Sequence, residues 1–235
     1  MTEFRPGSFQ MIPPVIKNLI IVNVLIFLAQ QTFGQAVELK ILNLFALHDL
    51  HSVYFRPHQL VTYLFLHGGW DHIIFNMFAL WMFGAILENY WGGKRFLVFY
   101  MVCGIGAAVC HLAVLYPEMS AEIIRLQEQF GDQQIQEALY SPQYPINDPT
   151  LGASGAIFGC LAAFGYLFPN SLIYLYFFVP IKAKWAVLGY AALELFSGIR
   201  NSAGDNVAHW AHLGGGLVGI ILVMIWNRNN RSNFY

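Results

Sequence analysis

The chain predicts an all-α membrane protein, a bundle of six transmembrane helices with a membrane-associated first outer loop. Two observations lead there. Of its 235 residues 57% are hydrophobic and only 11% charged, and the mean hydropathy is +0.51, a composition too apolar for an ordinary soluble domain. Six apolar stretches also approach the roughly 20 residues that about 30 Å of hydrocarbon requires. A formal charge of −1 with scattered basic residues carries no polyelectrolyte signature, which argues against a nucleic-acid partner and leaves the lipid bilayer as the surroundings. Cys103, Cys110 and Cys160 all fall inside apolar stretches and read as packing thiols rather than a disulfide framework.

Taken in order, residues 1–17 form a polar N-terminal tail and 18–33 the first span. A cleavable signal peptide competes for that span, but the long polar lead and the want of a small-x-small site argue against it. Residues 34–70 hold Val37, Leu39, Ile41, Leu42, Leu44, Phe45 and Leu47 between sparse polar residues, as expected of helices or a hairpin half-immersed in the interface. Spans two and three cover 72–91 and 96–115. The outer connection 117–150 is acidic and glutamine-rich, with Ile123, Leu126 and Phe130 at helical spacing; it predicts one or two short amphipathic helices over the surface, against a solvated linker. Span four covers 151–168. The apolar run 171–180 ends at Pro180 and reads as a surface-hugging connector to Lys182 and Lys184. Span five (181–197) has the weakest pattern. Span six covers 206–226, and 227–235 form a C-terminal tail, so that 18–226 is one six-span domain.

Basic residues set the expected orientation. With the N-terminus inside, the inner segments hold Arg5, Lys17, Lys94, Arg95, Lys182, Lys184, Arg228 and Arg231, and the outer ones Lys40, Arg56, Arg125 and Arg200. Eight against four places both termini in the cytoplasm and the ends of spans four and six that carry Ser154 and His212 at the outer face. With span six entering near Asn206, His212 lies about 9 Å down the helix.

A serine and a histidine in lipid are costly, and both sit among small residues. Gly152-Ala153-Ser154-Gly155 opens span four and continues to Gly159; Ala211-His212-Leu213-Gly214-Gly215 lies in span six and continues to Gly219. Glycines four apart let two backbones approach until a hydroxyl reaches an imidazole, which can take its proton and make a nucleophile of it. The competing reading is a packing motif alone, with Ser154 bonding its own helix. Position 156 is Ala, so there is no Gly-x-Ser-x-Gly elbow, and position 157 is Ile, so there is no Ser-x-x-Lys. Asp205 is at the surface and contact between Glu194 and His212 cannot be read from sequence, so a dyad is expected, with Glu194 as an orienter of His212 the alternative.

His67-Gly68-Gly69-Trp70-Asp71-His72 opens span two at the same outer level, with Asn76 one turn beyond His72. His72, Asn76 and the Ser154 amide can converge on an oxyanion. A metal site built from His67, His72, His209 and His212 is the alternative; without a HExxH motif or an accompanying acidic pattern, and with Ser154 left unexplained, no metal and no cofactor are expected.

These three motifs resemble those of the rhomboid family of intramembrane serine proteases over essentially the whole chain, which implies a rhomboid-like bundle. The resemblance places the family's Gly-x-Ser-Gly on Gly152 to Gly155 and its Ala-His-x-x-Gly-x-x-x-Gly on Ala211, His212, Gly215 and Gly219. Its His-x4-His-x3-Asn falls on His67, His72 and Asn76. It selects His212 over His209, puts Phe158 against the catalytic imidazole, and makes Glu88 a structural carboxylate at the inner end of span two. One departure is His58-Gln59, where many relatives carry Trp-Arg, which bears on how the first loop is anchored. What the resemblance implies is cleavage of transmembrane segments of membrane-protein substrates by Ser154 and His212 near the outer face, with span five and its loop 198–205 as a gate. A polar cavity lined by His67, His72, Asn76 and His209 is expected to admit water. A non-catalytic rhomboid-like helix-binding protein and a polytopic transporter are the other classes considered. A bacterial plasma membrane is expected in the absence of transit-peptide composition.

Overall fold

A computed structural model describes residues 9–129, 139–141, 144–175, 178–200 and 207–231. The first helix, α1 (Pro14–Thr32), begins at a proline pair, with Pro13 extended and Pro14 at the first helical position, and its N-cap residue supplies no side-chain cap. Its orphaned Val15 and Ile16 amides donate instead to the two carboxylate oxygens of Glu88, at 2.9 and 2.8 Å. A buried carboxylate on a helix N-terminus satisfies two donors and meets the positive end of the dipole.

The first connection contains α2 (Gln35–Phe45) and the single turn α3 (Gln59–Thr62), which tightens into a 3-10 turn over Tyr63–Phe65. Gln59 is fully buried and anchors this loop. Its Oε1 accepts from the His48 and Arg56 amides at 3.3 and 3.1 Å, and its Nε2 donates to the Tyr54 carbonyl at 2.9 Å. His58 Nε2 meets the Leu44 carbonyl at 2.7 Å. The His58-Gln59 pair thus supplies its own backbone clamp.

Helix α4 (Trp70–Trp91) contains a π-helical turn over Leu80–Gly84. Helix α5 (Gly93–Gln129) runs 37 residues, about 55 Å, straight through Pro117. The sequence reading ended this span at residue 115 and began a surface loop at 117. Proline removes one internal hydrogen bond, and contacts beyond it offset the loss: Leu126 is buried, Ser120 meets His51 at 3.1 Å, and Tyr144 donates to Glu122 at 3.3 Å. Phe130, the third residue of the expected amphipathic pattern, lies outside the described residues.

Helix α6 (Ser154–Leu167) is short and buried along most of its length. The connector expected over 171–180 is an antiparallel hairpin, β1 (Leu172–Leu175) with β2 (Val179–Lys182), pairing Leu172 with Lys182. Helices α7 (Ala183–Arg200) and α8 (His209–Arg231) follow. By length and composition α1, α4, α5 and residues His209–Arg228 of α8 are able to cross a membrane. The other two expected spans fall short for different reasons. Helix α6 has 14 residues, and α7 carries Lys184, Glu194 and Arg200.

Helix α6 packs between α5 and α8, and glycine decides how closely. A Cβ on Gly215 would drive into the Gly155 carbonyl oxygen, and one on Gly219 would lie 2.8 Å from Gly159 Cα. On the α5 side, a Cβ on Gly155 would lie 2.6 Å from Ala107 Cβ, and one on Gly159 2.6 Å from Cys103. This is packing at backbone contact, which apolar helices in lipid use in place of a hydrophobic driving force.

Two stability predictions follow from these contacts. Gly215→Ala should lower the thermal midpoint in detergent, with overpacking costing about 3 kcal/mol or more, whereas Gly216→Ala, whose Cβ meets nothing nearer than 3.9 Å, should melt like the parent protein. Glu88→Ala, which orphans the buried Ile16 amide and the half-buried Val15 amide, should cost about 2–4 kcal/mol in the same measurement.

Candidate active site

Ser154 opens α6 because the chain turns sharply just before it. Gly152 holds φ +125°, a conformation that favours glycine, and its amide donates to the Tyr63 carbonyl at 3.0 Å. A Cβ there would lie 2.7 Å from His72 Nε2. From the other side comes His212, less than one turn into α8, which begins its helix at His209; Asn206, the expected start, lies outside the described residues. The glycine crossing leaves Ser154 Oγ 2.8 Å from His212 Nε2. Phe158, one turn along α6, stacks on the imidazole with centroids 4.3 Å apart and planes 5° apart, and Tyr190 of α7 packs on Phe158 at 4.8 Å.

Across Gly152 lie the donors read from span two. The Gly68 amide donates to His72 Nδ1 at 3.3 Å, so a neutral His72 carries its proton on Nε2, the atom facing Gly152. Asn76 is buried, and its Nδ2 has no hydrogen-bond partner among the described residues. An orphaned buried donor is expensive unless something transient uses it. His67 stands behind, its ring 5.1 Å from that of His72 and its backbone held by the Gln30 amide of α1 at 3.1 and 3.2 Å.

Where the sequence favours a dyad and leaves Glu194 as the alternative, the structure brings a third group to His212. Glu194 of α7 is buried, and its Oε2 lies 3.0 Å from His212 Nδ1 and 2.6 Å from His209 Nδ1. The available signal was a lone acidic residue between Lys184 and Arg200 in an apolar stretch, since such a group needs a partner. His111, which the sequence did not single out, sets its Nε2 2.9 Å from Thr150 Oγ1, just before the Gly152 turn. The four histidines considered as a metal site do not form one cluster among the described residues; the group with metal-ligand proximity is Glu194, His209 and His212.

A cavity of about 760 Å³ opens beside this site. Its walls include His209, as expected, together with His48, His111, Thr150 and Trp210, while His67, His72 and Asn76 do not line it. It therefore approaches the α8 histidines from the side of α5 and the 144–150 segment, not from α4.

The Rhomboid domain model matches residues 54–229, well over half of the chain. Among curated proteins the chain is 28% identical over 223 residues to RHOMBOID-like protein 12, mitochondrial, of Arabidopsis thaliana, covering 94% of this chain and 60% of that protein. It is 27% identical to the rhomboid protease AarA of Providencia stuartii, covering 68% of this chain and 52% of that one. It is 32% identical to the rhomboid protease GluP of Bacillus subtilis over 46% of this chain and 15% of that one. The chain thus spans between 15% and 60% of the length of these relatives. A helical membrane-type bundle with the Rhomboid domain across its core identifies the chain as a member of the rhomboid family.

Proposed function

We propose that this chain is an intramembrane serine endopeptidase that cleaves transmembrane segments of membrane proteins near the outer face of the bilayer. The observation that carries the proposal is the 2.8 Å contact between Ser154 Oγ and His212 Nε2, made by two helices that meet only because glycines line their crossing. Two relatives named as rhomboid proteases support it.

In this mechanism Ser154 Oγ forms a bond to a substrate carbonyl carbon while its proton passes to His212 Nε2. Charge that develops on the carbonyl oxygen is met by the Ser154 amide, by His72 Nε2–H and by the orphaned Asn76 Nδ2. His212 then returns its proton to the leaving amine as the C–N bond breaks. A water, deprotonated by the same imidazole, releases the acyl group from Ser154. Phe158 holds the ring in plane, while Gly152, Gly155, Gly215 and His67 shape and support the pocket. A cytoplasmic placement of both termini accords with the eight-to-four distribution of basic residues. A bacterial plasma membrane has support in the two bacterial relatives, while the plant relative is named for mitochondria.

Reconstituted with a single-span substrate, Ser154→Ala and His212→Ala should each abolish cleavage while keeping the parent melting point. Asn76→Ala should lower kcat by about 100- to 1000-fold, the usual loss for one oxyanion donor. Cleavage at the parent rate by Ser154→Ala refutes the proposal.

A further inference from the structure

We infer that Glu194 is a positioning residue for His212, so that the dyad works as a Ser-His-Glu triad whose third member is delivered by α7. The inference rests on the proposed protease reading. Its basis is geometric. Glu194 Oε2 accepts at His212 Nδ1 over 3.0 Å, while His212 Nε2 faces Ser154 Oγ at 2.8 Å. With Nδ1–H committed to the carboxylate, the neutral imidazole has its lone pair on Nε2, the one tautomer that can take the serine proton.

His209 takes part by holding the carboxylate. Its Nδ1 lies 2.6 Å from the same Oε2, so a single oxygen accepts from two imidazoles one turn apart on α8. Two N–H donors on one oxygen favour the ionised carboxylate, whose charge faces the imidazolium formed during attack. The same cluster also has the spacing of metal ligands. One ligand atom from each of the three residues lies within 4.8 Å of the others, so a chelator has to distinguish the two arrangements.

The donor helix gives the arrangement a consequence. Helix α7 is seated at two glycine contacts: a Cβ on Gly165 would lie 2.7 Å from Val187, and one on Gly198 3.2 Å from Trp210. Its other side exposes Leu188, Leu193, Phe196 and Ile199. The carboxylate therefore reaches His212 only while α7 is seated against α6 and α8, and any outward shift of α7 leaves the dyad without its orienting charge.

The test compares Glu194→Gln, Glu194→Asp and Ser154→Ala in the full chain, reconstituted with a single-span substrate. The inference expects Glu194→Gln to lose about 100-fold in kcat with KM within about threefold and an unchanged melting point, and Glu194→Asp to recover about a tenth or more of parent kcat. Parent-like kcat in Glu194→Gln, with cleavage still lost in Ser154→Ala, overturns the inference and leaves the protease reading standing; cleavage by Ser154→Ala overturns that reading instead. Should Glu194→Gln fail to fold, Glu194→Asp and His209→Gln decide: the inference expects both to lower kcat at constant KM, and parent-like kcat in both overturns it. Activity that falls with a chelator and returns with zinc also overturns it, because the cluster is then a metal site.

Discussion

Backbone contact between α6 and α8 is the constraint on which the rest of the structure depends. Gly215 lies against the carbonyl of Gly155 and Gly219 against Gly159, with no room for a side chain at either crossing. That separation puts the first residue of one helix beside the first turn of the other. Ser154 and His212 meet there, and Phe158 closes flat over the ring. A hydroxyl and an imidazole are short side chains, and with one methyl group at the crossing their 2.8 Å contact would open. Helix α5 presses α6 from the opposite side through Ala107 and Cys103, so the crossing is held from two directions.

Polar groups kept inside such a bundle are held in place at several points. Glu88 is satisfied by two amides of α1, Gln59 by the backbone of the first loop, and Glu194 by two imidazoles. Glu88 joins two helices through residues 72 apart in the chain, and each of the three would be destabilising if its partner were withdrawn. Asn76 Nδ2 differs: it is a buried donor with no hydrogen-bond partner among the described residues, and the two ring nitrogens of His67 behind it have none there either. A donor left open at the place where negative charge develops is what an oxyanion pocket requires, because no bond has to break before it acts.

Much of this arrangement was legible in the sequence. Small residues four apart around Ser154 and His212 marked the crossing, and His72 with Asn76 marked a shared helical face. Glu88 was singled out by resemblance alone; its role as the cap of α1 needed the fold. Glu194 shows where reading stopped: it was visible as a carboxylate in an apolar stretch, but which face of α7 meets α8 is set by packing at Gly165 and Gly198, which no periodicity reports. Boundaries failed for similar reasons. Pro117 looked like the end of a span until contacts at Leu126 and Ser120 carried the helix past it. The hairpin over Leu172–Leu175 and Val179–Lys182 replaced an undefined connector because its ladder forms between segments too short to announce themselves. The expected cavity does reach His209, and it extends toward His111, which the sequence did not single out.

The central claim is that Ser154 is a nucleophile because His212 takes its proton. It is tested most directly by treating the membrane-embedded protein with a fluorophosphonate and locating the adduct by peptide mass spectrometry. The account predicts one adduct, on Ser154, which is lost when His212 is replaced by alanine. An adduct on any other residue, or one on Ser154 that forms equally fast without the imidazole, would contradict it.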